Sequence, residues 1–83
     1  MLESINEAVE VLTLFAGGQA APLRFRWRSK VIRVAKITGQ WIHHVGESHF
    51  YYYSIIADSS DYFELCYDAR SLKWILSKVW LAG

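Results

Sequence analysis

Six of the nine Lys and Arg residues of this 83-residue chain fall between positions 24 and 36: Arg24, Arg26, Arg28, Lys30, Arg33 and Lys36. Guanidinium groups are planar forks that suit phosphate and carboxylate. Beside aromatic rings, such cations can hold single-stranded nucleic acid, with the charges on phosphates and the rings stacked on bases. The same side chains equally suit a solvated strand face, paired across strands with Glu10 or Glu64 and guarding a sheet edge. The formal net charge is only +1, because Glu3, Glu7 and Glu10 precede the cluster and Asp58, Asp61, Glu64 and Asp68 follow it. A global basic field is therefore excluded, and any recognition of an anion must come from the local cluster.

Other chemistries find less support. His43, His44 and His49 suggest metal ligation, but adjacent strand residues point to opposite faces. Glu47 is the one nearby oxygen donor and there is no Cys-x-x-Cys, so no metal is expected. Gly-rich phosphate loops, nucleophile elbows and His-Glu-x-x-His pairs are missing. Asp58 and Asp61 flank a turn in the ordinary way. So short a meander also leaves little room for a pocket of ~300 Å³. No catalytic residue and no cofactor are expected, and the chain reads as non-enzymatic. Cys66 reads as a small packing residue.

These residues must be positioned by strands. Leu23, Phe25 and Trp27 alternate strictly with Arg24, Arg26 and Arg28, which puts apolar and basic sets on opposite strand faces. Ser29-Lys30 offers a turn, and the β-branched run Val31–Ile37 predicts the second strand of a hairpin. This arrangement lets Arg24, Arg26, Arg28 and Arg33 share its outer face. Ile37 is out of phase with Ile32 and Val34, so a bulge is expected near Ala35-Lys36. Thr38-Gly39-Gln40 loosens the chain, and residues 43–49 read as a loop. Phe50–Ala57, Tyr62–Tyr67 and Lys73–Trp80 read as further strands separated by polar turns. Phe63, Leu65 and Tyr67 share one face, opposite Glu64 and Cys66. The N-terminal segment fits a strand ending at Gly17-Gly18, with a short helix capped by Ser4 as the alternative. The prediction is all-β: a five- to six-stranded antiparallel meander curled into a small barrel-like or half-barrel sheet. Residues 1–83 form one domain, with 1–7 and 81–83 as loose ends.

Composition agrees. Apolar residues make up 53% and charged residues 20%, which argues against disorder. Four Trp, five Tyr and four Phe exceed what one small core holds. Phe25, Trp27, Phe63 and Trp74 take inward positions. Trp41, Tyr62, Trp80 and one of Tyr51 and Tyr52 do not, which points to a surface that touches a partner. One Cys allows no internal disulfide, and Met1–Glu10 lacks the positive start of a secretory leader, so the cytoplasm is the expected compartment. No apolar run approaches the ~20 residues of a membrane helix, and no membrane partner is expected.

The pattern Pro22-x-x-Phe25-x-Trp27-Arg28-x-Lys30, followed by Ile32-x-Val34-x-x-Ile37 and Trp41, resembles a family of small bacterial all-β proteins of unknown function. That family carries a Phe-x-Trp-Arg-Gly-Arg hairpin leading into an aromatic meander. Tyr51–Ile56, Phe63-Glu64-Leu65-x-Tyr67-Asp68 and Trp74-x-Leu76 extend the resemblance over about residues 8–80. Ser29 stands where the family has Gly, and Ile42-His43-His44 stands where members carry a second Trp or a Gly-Trp pair. The resemblance implies the fold and, through members associated with error-prone DNA-repair polymerases, a faint link to DNA metabolism.

The expectation is a non-enzymatic binding module acting by protein–protein contact or self-association through exposed aromatics. Single-stranded nucleic-acid binding through the arginine-rich hairpin is the alternative. The candidate surface comprises Arg24, Arg26, Arg28, Arg33, Trp41, Tyr51 and Tyr52.

Overall fold

The alternation around Phe25 has the consequence expected of it. In the computed structural model, which describes residues 2–81, Phe25 is buried while Arg24 and Arg26 are exposed. The strands are β1 (Glu3–Ala16), β2 (Gln19–Trp27), β3 (Lys30–Val45), β4 (Ser48–Ala57), β5 (Tyr62–Asp68) and β6 (Lys73–Trp80). All neighbours are antiparallel, and β1 closes the barrel by pairing with β6 as well as β2. The short N-terminal helix is not formed: β-branched and apolar residues at alternate positions of β1 bury one side against the core. Of the loose ends expected at 1–7 and 81–83, Met1, Ala82 and Gly83 lie outside the described residues. Glu3 pairs with Val79 on β6. No helix is long and apolar enough to cross a membrane.

Two long strands each serve two neighbours. Residues 3–9 of β1 pair with β6, and residues 10–16 pair with β2. Lys30–Arg33 of β3 pairs with β2, and Val34–Val45 pairs with β4. On β3 a register irregularity accompanies the change of partner. The bulge anticipated at Ala35-Lys36 is present between Val34 and Lys36, and a second lies between Ile37 and Gly39. Bulges bend a strand and sharpen its twist, which is what a small closed sheet requires. On β1, Asn6 takes the left-handed conformation (φ 54°) within the irregularity between Ser4 and Glu7.

Several turns are tighter than the composition suggested. Arg28 and Ser29, not Ser29-Lys30, occupy the β2–β3 turn, both with positive φ (49° and 66°). The expected loop at residues 43–49 is instead hairpin: β3 continues to Val45, only Gly46-Glu47 turns, and β4 starts at Ser48. The polar histidines mimicked a loop, but cross-strand pairing carries them. Gly17 and Gly18 both have positive φ (59° and 76°), the conformation a two-residue hairpin turn demands.

The core is Phe25, Tyr53, Ile55, Ala57, Phe63, Leu65, Trp74, Leu76 and Val79. Phe25 and Phe63 meet edge to face at 5.2 Å. Trp27 packs on Phe63 at 6.1 Å but is only half-buried, so it closes an end of the core rather than filling its centre. Gly39 permits close strand approach: a Cβ there would lie 2.7 Å from Ser54 Oγ. That hydroxyl is fixed by a 2.9 Å hydrogen bond with Thr38 Oγ1.

Phe63→Ala should therefore cost about 3–5 kcal/mol and abolish cooperative unfolding near room temperature. Gly39→Ala should cost about 1–3 kcal/mol by overpacking against Ser54. Chemical denaturation followed by Trp fluorescence checks both.

Candidate functional site

The β2–β3 ladder is short. It runs from Arg24–Arg33 to Trp27–Lys30 and then stops. Beyond it the β1–β2 hairpin and the β3–β4 hairpin diverge. Among the described residues, no strand pairs with the β3-facing edge of β2 over Gln19–Leu23. None pairs with the β2-facing edge of β3 over Val34–Val45. A groove of about 1040 Å³ opens between the hairpins. Its walls include Phe15 and Ala20 from one hairpin, Gln40, Ile42 and Tyr51 from the other, and Tyr67 from β5. The expectation of little room for a pocket is thus overturned, because splayed hairpins enclose space that a uniformly closed meander would not.

The groove is rich in aromatic rings. Phe15 meets Tyr67 edge-on at 6.1 Å. Tyr67 and Tyr53 each pack on Trp74, at 4.9 and 5.5 Å. Burial raises the pKa of the Tyr53 phenol, keeping it neutral across the ordinary pH range. Phe15 and Ile42 remain exposed at 63% and 51%. Neither was singled out in the sequence. Phe15 was legible only as an aromatic residue just before a Gly-Gly turn, and Tyr67 only as an inward member of β5.

The expected surface residues divide into three sets. Tyr51 pairs with Ile42 and lines the groove; Tyr52 and its partner Trp41 share the opposite sheet face but also contribute to the groove wall. Trp41 and Tyr52 lie parallel, with centroids 5.4 Å apart and planes 5° apart, and Trp41 remains 42% exposed. Tyr52 also shares a hydrogen bond with Cys66. Burial raises the pKa of the Cys66 thiol, which makes it a poor nucleophile. Arg24, Arg26 and Arg33 form the second set, exposed on the outer face, with Arg24 directly opposite Arg33.

Arg28 does not join them, contrary to the expected sharing of one face. The turn swings it to the barrel end, where its guanidinium lies 4.7 Å over the Trp27 ring and 2.7 Å from Glu7 Oε2. Trp27 Nε1 donates to Glu7 Oε1 at 3.1 Å. Glu7 thus accepts from both groups, and the Arg28 bond first, then that of Trp27, holds its carboxyl below the usual range. The lock belongs to the end where β2 and β3 stay together.

The histidines sit at the tip of the β3–β4 hairpin. His44 and His49 are cross-strand partners with rings 4.5 Å apart, while His43 pairs with Phe50 on the opposite face. Among the described residues no group of three His, Cys, Asp or Glu side chains could hold a metal. Comparison with protein-family models, with curated proteins and with solved structures finds no match.

Because the folded-state pKa of Glu7 is lowered, its stabilising contribution is present above the ordinary carboxylate pKa of about 4.3 and lost as pH falls through the lowered value. Glu7→Gln should melt at a lower temperature than the parent at neutral pH. The difference should shrink on acidification below about pH 4, as a pH series of thermal melts will show.

Proposed function

We propose that this chain is a small non-catalytic interaction module that associates with polypeptide, and first with a second copy of itself, along the free edge of β3. The observation that carries this reading is the unpaired edge over Val34–Val45, set beside the aromatic groove. A bare edge presents a row of main-chain donors and acceptors, a template for another extended strand.

Features along the two edges separate them. The β2 edge contains Pro22, which lacks an N–H and blunts pairing. The β3 edge has Lys36 and two bulges near its start, but from Gly39 to Val45 it has neither Lys nor Pro. That stretch carries Trp41, Ile42 and Val45, all exposed. A second copy supplies an identical strand, and antiparallel pairing of the same edge on both partners gives a two-fold interface. Such pairing satisfies the open main-chain groups and covers apolar side chains in one step. The free, buried Cys66 suits a reducing compartment, and the cytoplasm is where we place this activity.

Sedimentation equilibrium over a concentration series should show a monomer–dimer transition. Ile42→Lys with Val45→Lys, both at exposed positions, should leave the far-UV circular dichroism unchanged and hold the protein monomeric. A parent protein that stays monomeric at the highest attainable concentration, or a lysine variant that dimerises as well as the parent, contradicts the proposal.

A further inference from the structure

The outer face of β2 and β3 presents a second feature, which meets the groove and the free edge at Trp41 but is built chiefly on cations that belong to neither. Tyr53, Ile55 and Ala57 point into the core, so their β4 neighbours Tyr52, Ser54 and Ile56 point outward. The cross-strand partners Trp41, Gly39 and Lys36 share that outward face. Val34 pairs with inward Ala57, so Arg33 beside it points outward as well, and Arg24 lies directly across from Arg33. Arg26 is one outward position further along β2, opposite Val31 and Glu10.

Directly opposed like charges on adjacent strands oppose folding unless an anion joins them. Here Arg24 faces Arg33 with Arg26 and Lys36 nearby, and among the described residues none of the four makes an ion pair. By register Glu10 sits across from Arg26 and Asp58 beside Arg33, and neither forms an ion pair with these cations. Asp58 donates its backbone N–H to the Arg33 carbonyl at 3.1 Å, and its side chain is exposed in the β4–β5 turn. Four exposed cations thus stand together, with Glu10 and Asp58 nearby but, among the described residues, no ion pair to either.

The charges continue into an aromatic ring. From Lys36 to Trp41 is five residues, about 16 Å of strand at ~3.3 Å per residue, the span of a few nucleotides. Gly39 lies between them, and the missing side chain keeps the strip low. Trp41 is stacked on Tyr52 and remains 42% exposed. A line of cations ending in a partly exposed, supported ring matches a flexible chain that repeats phosphate and base; a lipid surface would engage the charges but has nothing to stack on Trp41. We infer that this face binds single-stranded nucleic acid, with Arg24, Arg26, Arg33 and Lys36 on phosphates and Trp41 stacked on a base.

The test is a fluorescence-anisotropy titration with a labelled oligothymidylate of about 15 nucleotides, run over a series of salt concentrations. Four phosphate contacts predict a slope of log affinity against log salt of about −3, at about −0.7 per contact. Arg24→Gln and Arg33→Gln should each reduce the slope by about 0.7, and Arg70→Gln, on the β5–β6 turn, should leave it unchanged. Trp41→Ala should weaken binding roughly tenfold and remove the quenching of intrinsic fluorescence. All four positions are exposed, and unchanged thermal melts will show that folding is intact. An abasic strand of the same length should bind the parent roughly tenfold more weakly. The inference is overturned by no binding at low salt, by a slope indifferent to Arg24 and Arg33, or by equal affinity for the abasic strand. It is also overturned if phosphatidylserine vesicles bind this face and the oligothymidylate does not.

Discussion

The structure depends on β3 changing partner at the Val34–Lys36 bulge. Before it, Lys30–Arg33 is bonded to β2; after it, the strand is bonded to β4 alone. A closed barrel of only six strands must bend sharply somewhere, and bulges are an effective way to bend an antiparallel strand. The bend releases β2, so the two hairpins part. The groove, the free edge and the outward strip from Arg33 to Trp41 all follow from it. Without the bulge, β2 would continue along β3 and the groove would be closed.

The two ends of the barrel then differ in character. Where β2 and β3 stay paired, Trp27 closes the core and Glu7 binds both it and Arg28. Charge there is satisfied internally. Where they part, the aromatic layer formed by Phe15, Tyr53, Tyr67 and Trp74 is left partly uncovered. Aromatic side chains thus act in two ways. Phe25 and Phe63 stabilise the fold by burial, while Phe15 and Trp41 keep substantial exposed surface.

Most of the fold was legible because period-two patterning reports which face is buried. Phe25 against its exposed flanking arginines needed nothing else, whereas on β5 the face opposite Phe63 and Leu65 is also buried, at Glu64 and Cys66, which alternation alone does not show. The bulge at Ala35-Lys36 was legible as a break of phase. The continuation of β3 through His43 and His44 was not, because polar residues on an exposed hairpin look the same as a loop. The site was half legible. Tyr51, Tyr52 and Trp41 do lie at or beside the groove, and Arg24, Arg26 and Arg33 do share a face. Arg28 was misplaced because residue alternation ends where a turn begins, and a positive φ redirects the side chain. Phe15, Tyr67 and Ile42 were missed because the groove arises from the divergence of two hairpins, which no local spacing encodes.

Backbone amide hydrogen exchange measured at several protein concentrations tests most directly whether the bare edge of β3 is where the molecule associates. The outward-facing amides between Gly39 and Val45 should exchange quickly in dilute solution and become protected as concentration rises, while those of Gln19–Leu23 on β2 do not change. Exchange along β3 that is independent of concentration, or protection that grows only on β2 or β6, would contradict the account.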